Sequence, residues 1–243
     1  MTDIAASCAR TPRRILPTNR TRIAACLATA VTLFACACRQ ESTAGETGRA
    51  DVPAASGFDF FVLALSWSPS YCDNARRPDP AQCNLEPPGF VVHGLWPQYE
   101  RGYPSNCPTD LPRAVPRSLS DTMLDIMPST GLIRHEWATH GTCSGVSQQD
   151  YFTLTRMAFE RVAVPGPYQA STALRPVDPD TVEAAFIAAN PGLGADSVAV
   201  TCDRRYLRDV RICLARDLSG FVACPEVDAD GCARDAAVMP GVR

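Results

Sequence analysis

Apolar positions along this chain follow two periods, and the changes between them mark out its elements. From Phe58 to Trp67 the run FDFFVLALSW is apolar on both alternating faces, which predicts a central, buried strand. Ser68-Pro69-Ser70 ends it. Phe90-Val91-Val92 is a shorter apolar run that predicts a second strand with His93 at its end. Helical spacing then takes over. Ser118 to Met127 places Leu119, Met123, Leu124 and Met127 on one side. Ser147 to Val164 predicts a longer helix, with Ser147 as cap and Asp150 three residues on. Asp178 to Asn190 predicts another, with Pro179 in its first turn and Asn190-Pro191-Gly192 as its stop. Ser197 to Cys202 and Val210 to Leu214 predict two further strands. Helices and strands do not alternate regularly, so the pattern favours an α+β fold with an antiparallel sheet.

The 243 residues suit one sizeable domain, with no internal repeat. The first forty residues read as an export segment. Arg10, Arg13, Arg14, Arg20 and Arg22 precede an apolar run from Ile23 to Ala37, too short for a comfortable membrane span. Leu33-Phe34-Ala35-Cys36 resembles a lipobox, which leaves a lipidated Cys36, while Ala35-Cys36-Ala37 fits a site that releases a soluble chain starting at Cys38. Residues 1–38 are thus expected to be a signal peptide or lipoprotein signal. Residues 39–57, rich in small and polar types, are expected to be a flexible linker. Residues 58–243 are left as the functional domain.

Net charge is −3, and all 23 basic residues are arginine. Removing the arginine-rich segment makes the rest more acidic, which argues against a protein that coats nucleic acid by counterion release. Local grip on a single phosphate is not excluded. Eight cysteines follow the linker: Cys72, Cys83, Cys107, Cys143, Cys202, Cys213, Cys224 and Cys232. An even number in an exported chain suggests four disulfides. No C-x-x-C pair occurs among them, so a zinc site is disfavoured.

All three histidines fall in two short motifs, His93-Gly94-Leu95-Trp96-Pro97 and the stretch from His135-Glu136-Trp137 to His140-Gly141-Thr142-Cys143. His135 and His140 are five apart, roughly 140° around a helix, so they lack the H-E-x-x-H arrangement of a metalloprotease. A Cys143–His140 hydrolase needs a free thiolate, and in an exported chain Cys143 is more readily a disulfide partner. Histidine acid–base chemistry on a phosphodiester remains. One imidazole takes a proton from the attacking hydroxyl and a second protonates the leaving oxygen. With the 2′-OH of RNA as nucleophile no metal or other cofactor is called for. Trp96, Trp137, Tyr99 and Tyr103 offer flat faces on which an unpaired base stacks, although Trp137 reads better as core and the two tyrosines better as surface residues.

At this point the chain resembles the ribonuclease T2 family, through the stretch Phe58 to Cys72, through HGLWP, through HEWATHGTC and, more weakly, through Val210-Arg211-Ile212-Cys213. The resemblance implies a central antiparallel sheet with packed helices, stapled by disulfides. It implies His140 as general base, His93 as general acid, His135 as phosphate-binding imidazole, Glu136 as an orienting or polarising group, and Trp96 as the stacking partner of the first base. It also implies the pairings Cys72–Cys83 and Cys107–Cys143, with a nested Cys202–Cys232 and Cys213–Cys224. The expected activity is cleavage of single-stranded RNA, not DNA, through 2′,3′-cyclic phosphate ends. The expected protein is a monomer in the periplasm, outside the cell or on the outer membrane, touching lipid only through Cys36. One departure stands out: the family usually has lysine where this chain has Thr139, and Arg134 is the candidate replacement. A catalytically weak RNA-binding or toxin-like protein of the same fold is the alternative. Retention of three histidines and Glu136 argues against it, since a binder needs no matched acid and base.

Overall fold

The computed structural model describes residues 53–83, 88–169 and 171–242. The expected export segment and most of the linker lie outside the described residues. The last linker positions pack on the domain: Ala55 is buried, and the Ser56 N–H donates to the Ser144 carbonyl at 3.1 Å.

In chain order the elements are β1 (Phe60–Trp67), α1 (Ser68–Asn74), α2 (Pro80–Cys83), β2 (Phe90–Gln98), α3 (Arg117–Asp121), α4 (Thr130–Thr139), α5 (Gln148–Glu160), β3 (Arg175–Val177), α6 (Pro179–Ala189), β4 (Val198–Cys202), β5 (Leu207–Ala215), α7 (Pro225–Ala229) and β6 (Ala237–Met239). The main sheet has the order β2-β1-β5-β4, antiparallel throughout, and β3 pairs with β6 in a small second sheet. The α+β expectation is met.

β1 is central, and its alternation sorts the two faces of the sheet. Phe61, Leu63, Leu65 and Trp67 join Val210, Ile212 and Leu214 of β5 in a core covered by Tyr151, Phe152 and Leu154 of α5 and Val182 and Phe186 of α6. The opposite face buries Phe60 and Val62 with Cys213, Cys224 and Val227, the last from α7. Burying each large side chain contributes about 1.5–3 kcal/mol, so the apolar contacts of the first face are the main hold of the helices on the sheet. Four disulfides, Cys72–Cys83, Cys107–Cys143, Cys202–Cys232 and Cys213–Cys224, join the pairs implied by the resemblance.

Three predicted boundaries move, each for a hydrogen-bonding reason. β2 does not stop before His93 but continues through Gly94 and Pro97 to Gln98. It is an edge strand, where a proline is tolerated because its missing donor breaks no second ladder. The helix predicted over Ser118–Met127 is regular only to Asp121, because the Thr122 and Met123 N–H groups donate three residues back, to the Leu119 and Ser120 carbonyls at 3.2 and 3.0 Å, in tighter turns. Leu124, expected on its apolar side, is exposed. The helix predicted to Val164 ends at Glu160, and the Ala163 N–H donates instead to Asn190 Oδ1 at 2.7 Å. Its start is as expected, with Ser147 Oγ accepting from Asp150 N–H.

Candidate active site

Two elements bring the motif residues together. In β2 the register against β1 shifts between Ala64 and Leu65: Gly94 pairs with Ala64 and Val92 with Leu65, which leaves His93 as an extra, unpaired residue. Such a bulge re-aims a side chain locally. Gly94, the next residue, must be glycine, since a Cβ there would overlap the Glu136 carboxylate. That vacancy allows α4 to approach the strand. α4 begins at Ser129, whose hydroxyl accepts from Leu132 N–H at 3.2 Å and donates to Asp79. Ile133 and Trp137, four apart, are fully buried on one side, and Trp137 Nε1 donates to the Pro112 carbonyl at 2.9 Å. Trp137 is core. The same winding buries Glu136 and leaves His135 exposed. The helix stops at Thr139, and His140 occupies the cap with its N–H on the Glu136 carbonyl at 2.9 Å.

Trp96 is the hub of the arrangement. Its Nε1 donates to Glu136 Oε2 at 2.8 Å. Its ring lies 5.3 Å from the imidazole of His93, edge-on, and 5.3 Å from that of His140, tilted by 31°. The Arg211 guanidinium stands 5.5 Å above the ring. Glu136 Oε1 faces His93 Nε2 at 3.7 Å and has no hydrogen-bond partner. On the other side of His93, Nδ1 is 3.2 Å from Ser66 Oγ and 3.7 Å from Asp209 Oδ1, and the Ser66 hydroxyl donates to Asp209. His93 and His135 line a cavity of about 480 Å³ together with Ser66, Asp209 and Arg208. Trp96 and His140 line a second, of about 350 Å³, with Gln98, Tyr103, Arg211, Glu226 and Asp230.

The surroundings pull the titrating groups in different directions. Burial pushes the Glu136 carboxyl up to about 7, against the opposing pull of His93 and the Trp96 N–H. Burial pushes His140 down to about 4, and repulsion from His135 and His93 adds to it. Burial would lower His93 as well, but the Asp209 and Glu136 carboxylates outweigh it and hold the imidazole above its ordinary value. Asp209 shows the reciprocal effect: burial opposes its charge, yet its contacts with His93 and Ser66 hold it below the usual carboxylate range.

The family model of the ribonuclease T2 family matches residues 58–224. The chain belongs to the ribonuclease T2 family. A ribonuclease of Aeromonas hydrophila is 37% identical over 176 residues, which cover 71% of this chain and 79% of the relative. The intracellular ribonuclease LX of Solanum lycopersicum is 30% identical over 186 residues, 69% of this chain and 78% of its own. Two solved structures share the fold. An RNase-related protein from Calystegia sepium superposes with a TM-score of 0.59 at 22% identity, covering 77% of this chain and 100% of that one. Ribonuclease MC1 from bitter gourd seeds gives 0.53 at 24% identity, covering 69% and 94%.

Within this T2 domain, His93, Glu136, His140 and Trp96 converge, while His135 stands one step around α4 at the mouth of the larger cavity. Arg134, proposed as the stand-in for the family lysine, is exposed and lines neither cavity. The arginines that do are Arg208 and Arg211, both from β5. Sequence reading missed these two, and also Ser66 and Asp209, while Tyr103, set down there as a surface residue, lines the second cavity. A signal existed for some of them. Ser66 is the one polar residue between Phe60 and Trp67. Asp209 and Arg211 alternate with Val210 and Ile212 in a strand flanked on both sides, where a row of charges on one face is costly without a purpose.

Proposed function

We propose that this protein is an exported endoribonuclease that cuts single-stranded RNA by transphosphorylation. Neutral His140 removes the proton from a 2′-OH. The freed oxygen attacks the adjacent phosphorus. His93, as imidazolium, gives its Nε2 proton to the departing 5′-oxygen. The products are a 2′,3′-cyclic phosphate and a 5′-hydroxyl. His135, at the cavity mouth, holds the phosphate, and Glu136 faces His93 Nε2 and orients Trp96. Neither proton transfer calls for a metal. The observation that carries the reading is the pair of imidazoles on one tryptophan, one held below and the other above its ordinary value. Titrating groups driven apart by their surroundings are the mark of an assigned base and acid. This also weighs against a catalytically weak binder. Four disulfides suit an oxidising compartment outside the cytoplasm. There the protein acts as a monomer, with any membrane attachment through lipid on Cys36.

The test is incubation with single-stranded RNA and DNA in EDTA, with the product ends identified. RNA fragments carrying 2′,3′-cyclic phosphates, later opened to 3′-phosphates, are expected. Activity abolished by EDTA, or equal cleavage of single-stranded DNA, would sink the proposal.

A further inference from the structure

Asp209 is a carboxylate buried in the central region of the sheet, 5% exposed. Removing such a charge from water costs several kcal/mol unless partners compensate. Its partners are specific. Asp209 N–H donates to Thr201 Oγ1 at 3.2 Å, and the Thr201 hydroxyl lies 3.4 Å from Oδ2. Oδ1 accepts from the Ser66 hydroxyl and lies 3.7 Å from His93 Nδ1. Because the Ser66 proton goes to Asp209, its oxygen is left to accept from Nδ1 at 3.2 Å. Three elements thus build one line of contacts: β5 supplies Asp209, β1 supplies Ser66, and the bulge in β2 supplies the imidazole.

We propose that Asp209, acting directly and through the Ser66 hydroxyl, is a positioning residue that keeps a proton on Nδ1 of His93 and so reserves Nε2 for the transferred proton. The inference rests on the reading of His93 as the general acid. In the transfer the Nε2–H bond breaks and a bond from that proton to the 5′-oxygen forms as the P–O5′ bond breaks. His93 passes from imidazolium to the neutral Nδ1–H tautomer, and Asp209 stays ionised throughout. The groups that act on His93 are Asp209 and Arg208 from β5, Ser66 from β1, Glu136 from α4 and His140 at its cap. Burial and Arg208 oppose the imidazolium, His140 is already neutral in the range where His93 titrates, and the two carboxylates outweigh the opposition. Without Asp209 the balance falls to Glu136 alone against burial.

The experiment compares wild type with Asp209→Asn, Ser66→Ala and Ser66→Thr, in three readouts: the pH profile of kcat/KM, the NMR titration of the His93 ring without substrate, and Tm. In Asp209→Asn the falling limb and the His93 titration should both move down by on the order of one pH unit, and kcat at neutral pH should fall about tenfold with KM little changed. Ser66→Ala should move both in the same direction by less, and Ser66→Thr should restore the wild-type profile. A folded Asp209→Asn with a lower Tm but an unmoved His93 titration would overturn the inference and make the contact purely structural. If Asp209→Asn fails to fold, the pair at Ser66 decides by the same criterion. The titration reports on Asp209 even if His93→Ala proves fully active. That result would sink the reading of His93 as acid without touching the contact.

Discussion

His93 and His140 sit equally far from the Trp96 ring, with 5.3 Å between centroids in each case, yet their neighbourhoods are opposite. His93 rises from a strand bulge between two carboxylates, Asp209 on the sheet and Glu136 on α4. His140 closes the end of a helix, where its buried Nδ1 has no hydrogen-bond partner and the other two histidines repel its charge. The sheet side stores a proton and the helix-end side sheds one. A single tryptophan separates them, so the same kind of side chain is shifted in opposite directions in neighbouring contacts. Identity alone does not assign the roles. In the reading proposed above the placement of carboxylates does: Asp209 comes from β5 and Glu136 from α4, neither from the strand that carries His93.

The harshest way to break the comparison is to delete each imidazole. His93→Ala and His140→Ala should each lower kcat by at least about a hundredfold, as loss of a general acid or base commonly does. The wild-type pH profile carries the same information with its sign. kcat/KM should rise as pH passes about 4, where His140 loses its proton, and fall above pH 6.5, once His93 gives up its own. Steady-state kinetics across that range decide it. If His140→Ala keeps the rising limb near pH 4 and near wild-type turnover, the base is another group.

A smaller effect is expected where the two sides meet. Glu136→Gln removes one of the carboxylates that hold His93 protonated while keeping an acceptor for Trp96 Nε1. Turnover should fall roughly tenfold, the typical scale for losing a charge that acts through a neighbour. Stability should move the other way. The Glu136 carboxyl is raised from its ordinary 4.5 to about 7, so its ionisation is resisted by the fold. Its stabilising effect is full below pH 4.5 and is lost as pH rises through 7. At about 1.4 kcal/mol per unit this is on the order of 3 kcal/mol at pH 8. Glu136→Gln should therefore raise Tm by several degrees at pH 8 and hardly at all at pH 4. Thermal melts at the two values test it, and equal shifts at both would mean that Glu136 is not held against its charge.

Much of this contrast was legible before any coordinates, and the unread part has a physical cause. β1 and β5 show in the sequence because apolar residues fill both faces or alternate strictly. α5 shows through Ser147, which caps it as expected, and α6 through Pro179 in its first turn, with Asp178 supplying the cap. α4 escaped because its buried side rests on little more than Ile133, Trp137 and the acidic Glu136, which leaves no apolar stripe to detect. The three histidines and Glu136 stood out by their motifs. Asp209 and Ser66 did not, because an isolated acid in a strand reads as a solvated position until the sheet brings it beside His93. Arg134 misled for the converse reason: it is next to His135 in sequence, but a helix turns neighbouring side chains 100° apart, and this one faces solvent.

The smallest expected effect sharpens the helix-end side. Thr139, immediately before His140, is half-buried, and its carbonyl accepts from Asn106 N–H at 2.7 Å. An ammonium at this position would stabilise charge that builds on phosphoryl oxygen, and would do so more in the transition state than in the ground state. Loss of one strong donor from such a site can cost roughly 10²–10³ in rate. A partly solvated lysine is worth less, because solvent weakens the interaction. Thr139→Lys should therefore raise kcat tenfold or less. It would also place a positive charge beside an imidazole already pushed down to about 4, so the rising limb should move lower still. Arg134→Ala should change kcat by less than about twofold, in keeping with a surface position. The rival is that Arg211, above the Trp96 ring, already supplies the missing charge. In that case Thr139→Lys would crowd the cations and slow the enzyme, and Arg211→Gln would lose far more than Arg134→Ala. Kinetics of the three variants side by side separate the two. No gain from the lysine, with a large loss at Arg211, would show that β5 furnishes the cation for the phosphoryl oxygen on the helix-end side just as it furnishes the carboxylate for His93.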